Sequence, residues 1–407
     1  MPARGSCGRS SASPSPEAIV VGGAVAGASL ANALGSRGIP TLLIERLDRE
    51  RHGARGDLLH PPTLRILDSW GVLDALRADG AVALRELVVS ARDRGIVARY
   101  PTPVRDQTPA GRTIAVPHER IEAVLSACAE RRPSVTVERA VVTGLLREGG
   151  RVVGVRVREG GNARELRARV VIGCDGTRSS VRRELGIAEE EHEYATDFLY
   201  LEAEGEVAPP AAVHWHLDRE GIVCVFARPR GESRAFLTVR RGMRTSFGPD
   251  PALRDHVVGR FPDLARLRIA KARARLYRVV RLLAERFWVP GCALAGDAAH
   301  TTNPAGATGM SLAITGAARL AELLVPALDR DDAAVDEALA AYEAERRPAA
   351  VRALEAAHAQ AMRIYESDLF RDADAFARAV DPAAAWTAGG AGWGEDPAAL
   401  AAPTPTT

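Results

Sequence analysis

The sequence predicts an α/β protein in which a doubly wound, Rossmann-like domain carries an inserted, mostly antiparallel β-sheet lobe and a long C-terminal helical region. Three observations predict it. A strand, turn, helix, strand unit opens at Ala18, period-two segments crowd the stretch from Asp197 to Val239, and an Ala- and Leu-rich helical pattern runs from about Ser311 to Tyr365.

The opening unit is the apolar run from Ala18, a turn of small residues, a helix over about 26 to 36, and Thr41-Leu42-Leu43-Ile44 ending at Glu45. A helix follows near 118 to 131, then three alternating strands, with Gly149-Gly150 as the hairpin turn between two of them. The strand-like segments FLYLEAEGEV, AVHWHL, IVCVFARP and AFLTVR are too many in succession for a simple βαβ array, so they form a second lobe. A helix near 250 to 260 and a strand at Cys292 to Ala295 return the chain to the first domain. The expected plan assigns 17–85, 116–190 and 281–330 to the Rossmann-like domain, 86–115 and 191–280 to the inserted lobe, and 331–380 to C-terminal helices. Residues 1–16 read as a disordered leader and 381–407 as a disordered tail.

Composition sets limits. At 407 residues, with 46% hydrophobic and 26% charged residues, the chain can hold two lobes around a large core. The net charge is only +2 and carried almost wholly by arginine, with Lys271 the single lysine, so nothing points to nucleic acid. Cys7, Cys128, Cys174, Cys224 and Cys292 show neither a CxxC pair nor metal-ligand spacing. That suits a reducing, cytoplasmic compartment and no metal site. The N-terminus lacks the apolar run of a secretory signal, and the Ala-rich helices are broken by Arg, Glu and Asp, so no integral membrane span is expected.

Three motifs carry chemistry. In Val21-Gly22-Gly23-Ala24-Val25-Ala26-Gly27, glycines let the backbone approach a pyrophosphate at a helix N-terminus, with Ala24 in the place of the second glycine. Glu45, about twenty residues on at a strand end, is placed to accept hydrogen bonds from a ribose hydroxyl pair. The second motif, Cys174-Asp175-Gly176-Thr177-Arg178-Ser179-Ser180-Val181-Arg182, sits at a strand-to-helix turn and reads either as a cofactor contact or as an ordinary Asp-Gly turn with a serine cap. The third is Gly296-Asp297 followed by the loop Asn303 to Gly309. There Asp297 can bind a ribityl hydroxyl, and the Pro/Gly-rich loop before a long helix offers backbone N–H groups and a positive helix end to a reduced flavin.

With these three in order, the sequence resembles the class A flavoprotein monooxygenases, the para-hydroxybenzoate hydroxylase-like family, from about residue 17 to about 365. The resemblance implies FAD contacts at Gly22, Gly23, Ala26, Gly27, Glu45, Arg46, Asp175, Asp297, Ala307, Thr308 and Met310. It gives Pro304, Gly306 and Gly309 the part of stabilising the anionic flavin and shaping the oxygen pocket. Arg55 would face the pyrophosphate, and Arg120 opens the helix after the first crossover; either could also be a surface arginine. Ser311 and Gly316 stand where many relatives have Asn and Asp. The implied reaction uses NADPH or NADH and O2 to hydroxylate or epoxidise a small organic substrate through a flavin C4a-hydroperoxide, in secondary metabolism.

Substrate contacts are expected from the inner face of the antiparallel lobe, with His214 and His216 on one face of their strand and Trp215 on the other. The competing reading makes them exposed or satisfied structural histidines beside a core tryptophan, and the sequence favours it. Competing functions are an FAD-dependent reductase of an unsaturated isoprenoid-type substrate and a non-catalytic binder like the Rab GDP dissociation inhibitors. A homodimer is compatible with the sequence.

Overall fold

Continuous Val/Ile runs such as Ala18–Val21 and Val170–Gly173 have no polar alternation, so both their faces must be covered. In the computed structural model, which describes residues 15–46, 56–102, 104–242, 259–268 and 275–380, they lie side by side in the middle of a six-stranded sheet. The sheet order is Trp288–Val289, Cys292–Leu294, Val170–Gly173, β1 (Ala18–Val21), β2 (Thr41–Glu45) and Val135–Arg139. All neighbours are parallel except the Trp288–Val289 edge. Helix α1 (Val25–Gly35) joins β1 to β2 and is buried along its whole length, because alanine and glycine let it pack closely under the sheet. Helix α2 (His118–Glu130) leads to the outer parallel strand.

The second lobe is a seven-stranded sheet in the order 275–277, 196–204, 232–240, 221–228, 212–218, 86–91 and 95–101. It is antiparallel apart from the parallel pairing of 86–91 with 212–218. Alternation gives it two faces. One presents Phe198, Tyr200, Trp215 and Phe236 toward the C-terminal helices; the other packs Leu199, Leu201, Val225 and Leu237 on Phe261, Leu264 and Leu267. The Gly149-Gly150 hairpin forms as expected, joining Val141–Glu148 to Arg151–Glu159.

The helical region expected from about Ser311 to Tyr365 consists of two helices, α3 (Gly309–Leu328) and α4 (Asp332–Ile364). The break falls where Asp331 accepts the Ala334 N–H at 2.9 Å, a helix start signal inside what composition shows as one run. By length and mean hydropathy alone α3 would be long and apolar enough to cross a membrane, although Arg319 and Glu322 interrupt its apolar run. Most of it is instead buried, since it packs against both α1 and α4. The helix expected near 250 to 260 falls mainly outside the described residues, as do the leader through residue 14 and the tail from 381.

Candidate active site

One cleft of about 710 Å³ runs from the glycine turn after β1, past the Asp297 turn and the Pro304 loop, to the aromatic face of the second sheet. That volume lies within the usual range for small-molecule sites.

At its first end the backbone sets the shape. Gly22 has φ +101°, and a Cβ there would stand 2.5 Å from the Cys174 carbonyl oxygen. A Cβ on Gly27 would stand 1.8 Å from the Gly22 carbonyl oxygen, so α1 reaches the turn only because Gly27 lacks one. Helix α1 begins at Ala24 with no side-chain cap and no acidic residue in its first turn. Its leading N–H groups and positive end are therefore left for an anion, and Ala24, Val25 and Ala26 line the cleft. Glu45 is buried and its carboxylate accepts the Gly23 N–H, which fixes it against the turn. Arg46 is exposed at the rim.

Asp175 lines the cleft, but its carboxylate is taken up by the turn. It accepts hydrogen bonds from Ser179 Oγ at 2.5 Å, Ser180 N at 2.7 Å, Ser180 Oγ at 2.8 Å and Val181 N at 3.1 Å. The turn and its cap are thus real, and so is the cleft position; the two sequence readings of this motif coexist. Arg182, the last residue of this motif, is buried and donates to Ala298 O at 2.7 Å and Thr177 O at 2.8 Å, stapling this turn to the Asp297 turn. A Cβ on Gly296 would lie 2.5 Å from Ala26 Cβ, so the Asp297 turn sits directly on α1.

The loop closes the middle of the cleft. Asn303 accepts the Ala305 N–H at 2.9 Å, Pro304–Gly306 forms a 3-10 turn, and Ala307 takes a left-handed conformation at φ +50°. Helix α3 then starts at Thr308 with no side-chain cap, again leaving N–H groups available. Pro304, Ala307, Gly309 and Met310 line the cleft, Thr308 lies outside that lining, and Gly306 ends the 3-10 turn. His60 approaches from the other side, with Nδ1 3.3 Å from Thr113 Oγ1 and a hydrogen bond to the Ala307 backbone.

Two expectations are corrected. Arg120 does not reach the cleft: its side chain is 49% exposed and forms an ion pair with Asp79. The residues of that helix start which do matter are His118, whose N–H donates to Asp57 Oδ1 at 3.0 Å, and Glu119. His214 and His216 also lie away from the cleft. His214 Nε2 pairs with Pro209 O at 2.9 Å, the two rings stack at 6.0 Å, and His216 packs 5.1 Å from Phe261. Period two was read correctly, but it is Trp215 on the opposite face that lines the cleft. Arg55 lies outside the described residues.

Sequence reading missed a buried ionic cluster. Asp57 stands 2.7 Å from Arg234 Nη1 and 3.6 Å from Arg228 Nε, while Arg234 Nη2 lies 3.2 Å from Glu119 and 3.3 Å from Glu202. Burial pushes the Asp57 carboxyl up, against the pull of Arg234 and Arg228. These residues come from five separate segments, so no local spacing signals them.

Since Arg120 carries only an exposed ion pair, Arg120→Ala is expected to leave the FAD dissociation constant within about twofold and stability within about 1 kcal/mol. Flavin titration of the apoprotein checks it; a tenfold loss of FAD affinity would restore Arg120 to the site.

Burial lowers the imidazoles of His60 to about 4, His216 to about 3 and His300 to about 4, from an ordinary value of 6.5. Above pH 6.5 neither folded nor unfolded chain holds these protons. Below it, the unfolded chain binds three protons that the fold refuses, so stability falls as pH drops toward 4, at up to roughly 4 kcal/mol per pH unit from these groups. Urea titrations at pH 7.5, 6 and 5 measure this; a flat profile would mean the imidazoles reach water.

A glycine cradle at an uncapped helix start, joined through one cleft to a second uncapped helix start, defines a flavoprotein built on a Rossmann-like sheet. The chain matches the family described as FAD binding domain over residues 16–357 and belongs to it, among the class A, para-hydroxybenzoate hydroxylase-like FAD-dependent monooxygenases. It is 27% identical to 6-methylpretetramide 4-monooxygenase of Streptomyces rimosus over 360 residues, covering 82% of this chain and 81% of that one. It is 28% identical to rifampicin monooxygenase of Streptomyces venezuelae over 370 residues, covering 84% and 71%. The crystal structure of PqsL from P. aeruginosa in complex with 2-aminobenzoylacetate superposes with a TM-score of 0.76 at 26% identity, covering 90% of this chain and 99% of that one. FAD is the cofactor, with NAD(P)H and O2 as co-substrates.

Proposed function

We propose that this chain inserts one atom of O2 into a small organic molecule held between the aromatic sheet face and the Pro304 to Gly309 loop. The other oxygen atom leaves as water, taking up a hydride equivalent from NADPH or NADH and one proton from solvent, and the product is a hydroxylated or epoxidised compound, made in secondary metabolism. The observation that carries the reading is the continuity of the cleft: the seat for the nucleotide, the loop and the aromatic wall are one space. Bound FAD supplies hydride acceptance and oxygen activation. The chain supplies the rest. The start of α1 seats the pyrophosphate, Glu45 the ribose, and Asp297 the ribityl chain. The uncapped start of α3 favours negative charge on the isoalloxazine, while the walls exclude water from the reacting centre. In this reading 17–85, 116–190 and 281–330 hold the cofactor, and 86–115 and 191–280 hold the substrate. Four buried free thiols, Cys128, Cys174, Cys224 and Cys292, support a reducing, cytoplasmic setting.

The test mixes anaerobically reduced, FAD-loaded protein with oxygenated buffer and follows the flavin spectrum. A transient distinct from both reduced and oxidised flavin supports oxygen insertion. Direct slow reoxidation would move the assignment to a reductase, and failure to retain any flavin after reconstitution to a non-catalytic binder.

A further inference from the structure

The substrate end of the cleft is walled by Phe198, Tyr200, Trp215, Phe236, Tyr277 and Tyr365, yet one amide faces it. Gln360 lies on the inner side of α4 with Ala357, Ala361 and Ile364, is only 8% exposed, and lines the cleft. Its side chain makes no hydrogen bond to any described residue. The amide is therefore open to the cleft, and an occupant that covered it without supplying a partner would pay on the order of 1–3 kcal/mol. Two more polar tips share this condition. Tyr200 and Tyr365, each 6% exposed, line the same space, each with its ring against Phe198 and with no side-chain hydrogen bond to a described residue.

Charge narrows the occupant further. Among the described residues the cation facing this end is Arg234, and it is held by Asp57, Glu119 and Glu202, with Arg228 behind it. Two guanidiniums against three carboxylates leave no positive excess, whether or not Asp57 carries a proton. An anionic ligand would shed its water with no net counter-charge to meet it.

We propose that Gln360 determines specificity, and that the pocket selects an uncharged, largely apolar ring compound fixed by a neutral carbonyl, amide or hydroxyl group bonded to Gln360, with Tyr200 and Tyr365 as further partners. Calling that compound the substrate rests on the monooxygenase reading. The pocket assignment itself does not.

The test is equilibrium dialysis of oxidised, FAD-loaded protein against three probes of matched shape: 2-naphthamide, 2-naphthoate and 2-isopropylnaphthalene. The amide is expected to bind at least tenfold more tightly than the carboxylate. In Gln360→Met the amide should lose roughly three- to tenfold while the hydrocarbon stays within twofold, at unchanged flavin content. Tyr365→Phe, the smallest change available, should act the same way and serves if the first variant folds poorly. Equal or tighter binding of the carboxylate, equal losses for amide and hydrocarbon, or no binding of any probe would overturn the proposal. Dialysis involves no turnover, so an intact amide preference beside a failed rapid-mixing test would remove the reaction and leave the pocket assignment standing.

Discussion

Gly27→Ala is expected to yield protein with less than a tenth of the wild-type flavin after gel filtration. The added methyl would stand 1.8 Å from the Gly22 carbonyl oxygen and 3.2 Å from Val20 Cγ1, so backbone meets backbone and no side-chain rotation relieves it. The start of α1 must then retreat by more than 1 Å from the turn, on the scale of a van der Waals overlap. Gly22 cannot yield in return, because its φ of +101° and its closeness to Cys174 already hold it against the neighbouring strand. A retreat of that size takes the N–H groups of Val25 and Ala26 out of reach of the pyrophosphate, and hydrogen bonds fade steeply with distance. The flavin-to-protein absorbance ratio reads the effect. Ala24→Gly, which only removes a methyl at the cleft edge, is the matched control and should keep its flavin. Full FAD content in Gly27→Ala would show that the pyrophosphate does not sit at α1.

The largest loss of stability is expected from Asp57→Ala, about 3–5 kcal/mol, because it strands two buried guanidiniums. Arg228 and Arg234 are 4% and 3% exposed, and Glu119 and Glu202 reach them only from more open positions. Asp57 also accepts the His118 N–H, so its removal frees a buried backbone donor at the start of α2. The cluster ties the segment after the first domain's opening unit, the start of α2 and three strands of the second sheet, so its loss should loosen the seam between the two lobes. Urea unfolding measures the change in stability. Removing the charges together, in Asp57→Leu with Arg234→Met, should cost less than Asp57→Ala alone. A single-variant loss under 1 kcal/mol would mean that water reaches the arginines.

Much of the cofactor end was legible in the chain itself. Gly22, Gly27, Glu45, Asp297 and the Pro304 to Gly309 loop sit at fixed offsets from strand ends, because a turn at a helix start is a local structure whose backbone demands are met by neighbours in sequence. The same locality made Asp175 readable as both cap and cleft residue. Reading by position failed where direction mattered. Arg120 occupies the first turn of α2 as expected, yet which side of that turn faces the cleft follows from how the helix packs, and packing turned it toward Asp79.

The substrate end could not be read that way. Alternation along Ala212–Asp218 fixed that His214 and His216 share one side and Trp215 the other, but a period of two carries no label for which side meets the flavin loop. That choice was made by α4, whose end brings Ala361, Ile364 and Tyr365 onto the Trp215 face. Gln360 left a faint trace, one amide in an apolar helical stripe, and Asp57, Glu119, Glu202, Arg228 and Arg234 left none, being charged residues scattered over some 180 positions. The sequence by itself determined the fold class, the cofactor and the loop beside it, because each rests on short-range backbone geometry. Only the tertiary structure decided which residues wall the aromatic end of the cleft and how its charges cancel, because those contacts join segments that chain order keeps apart.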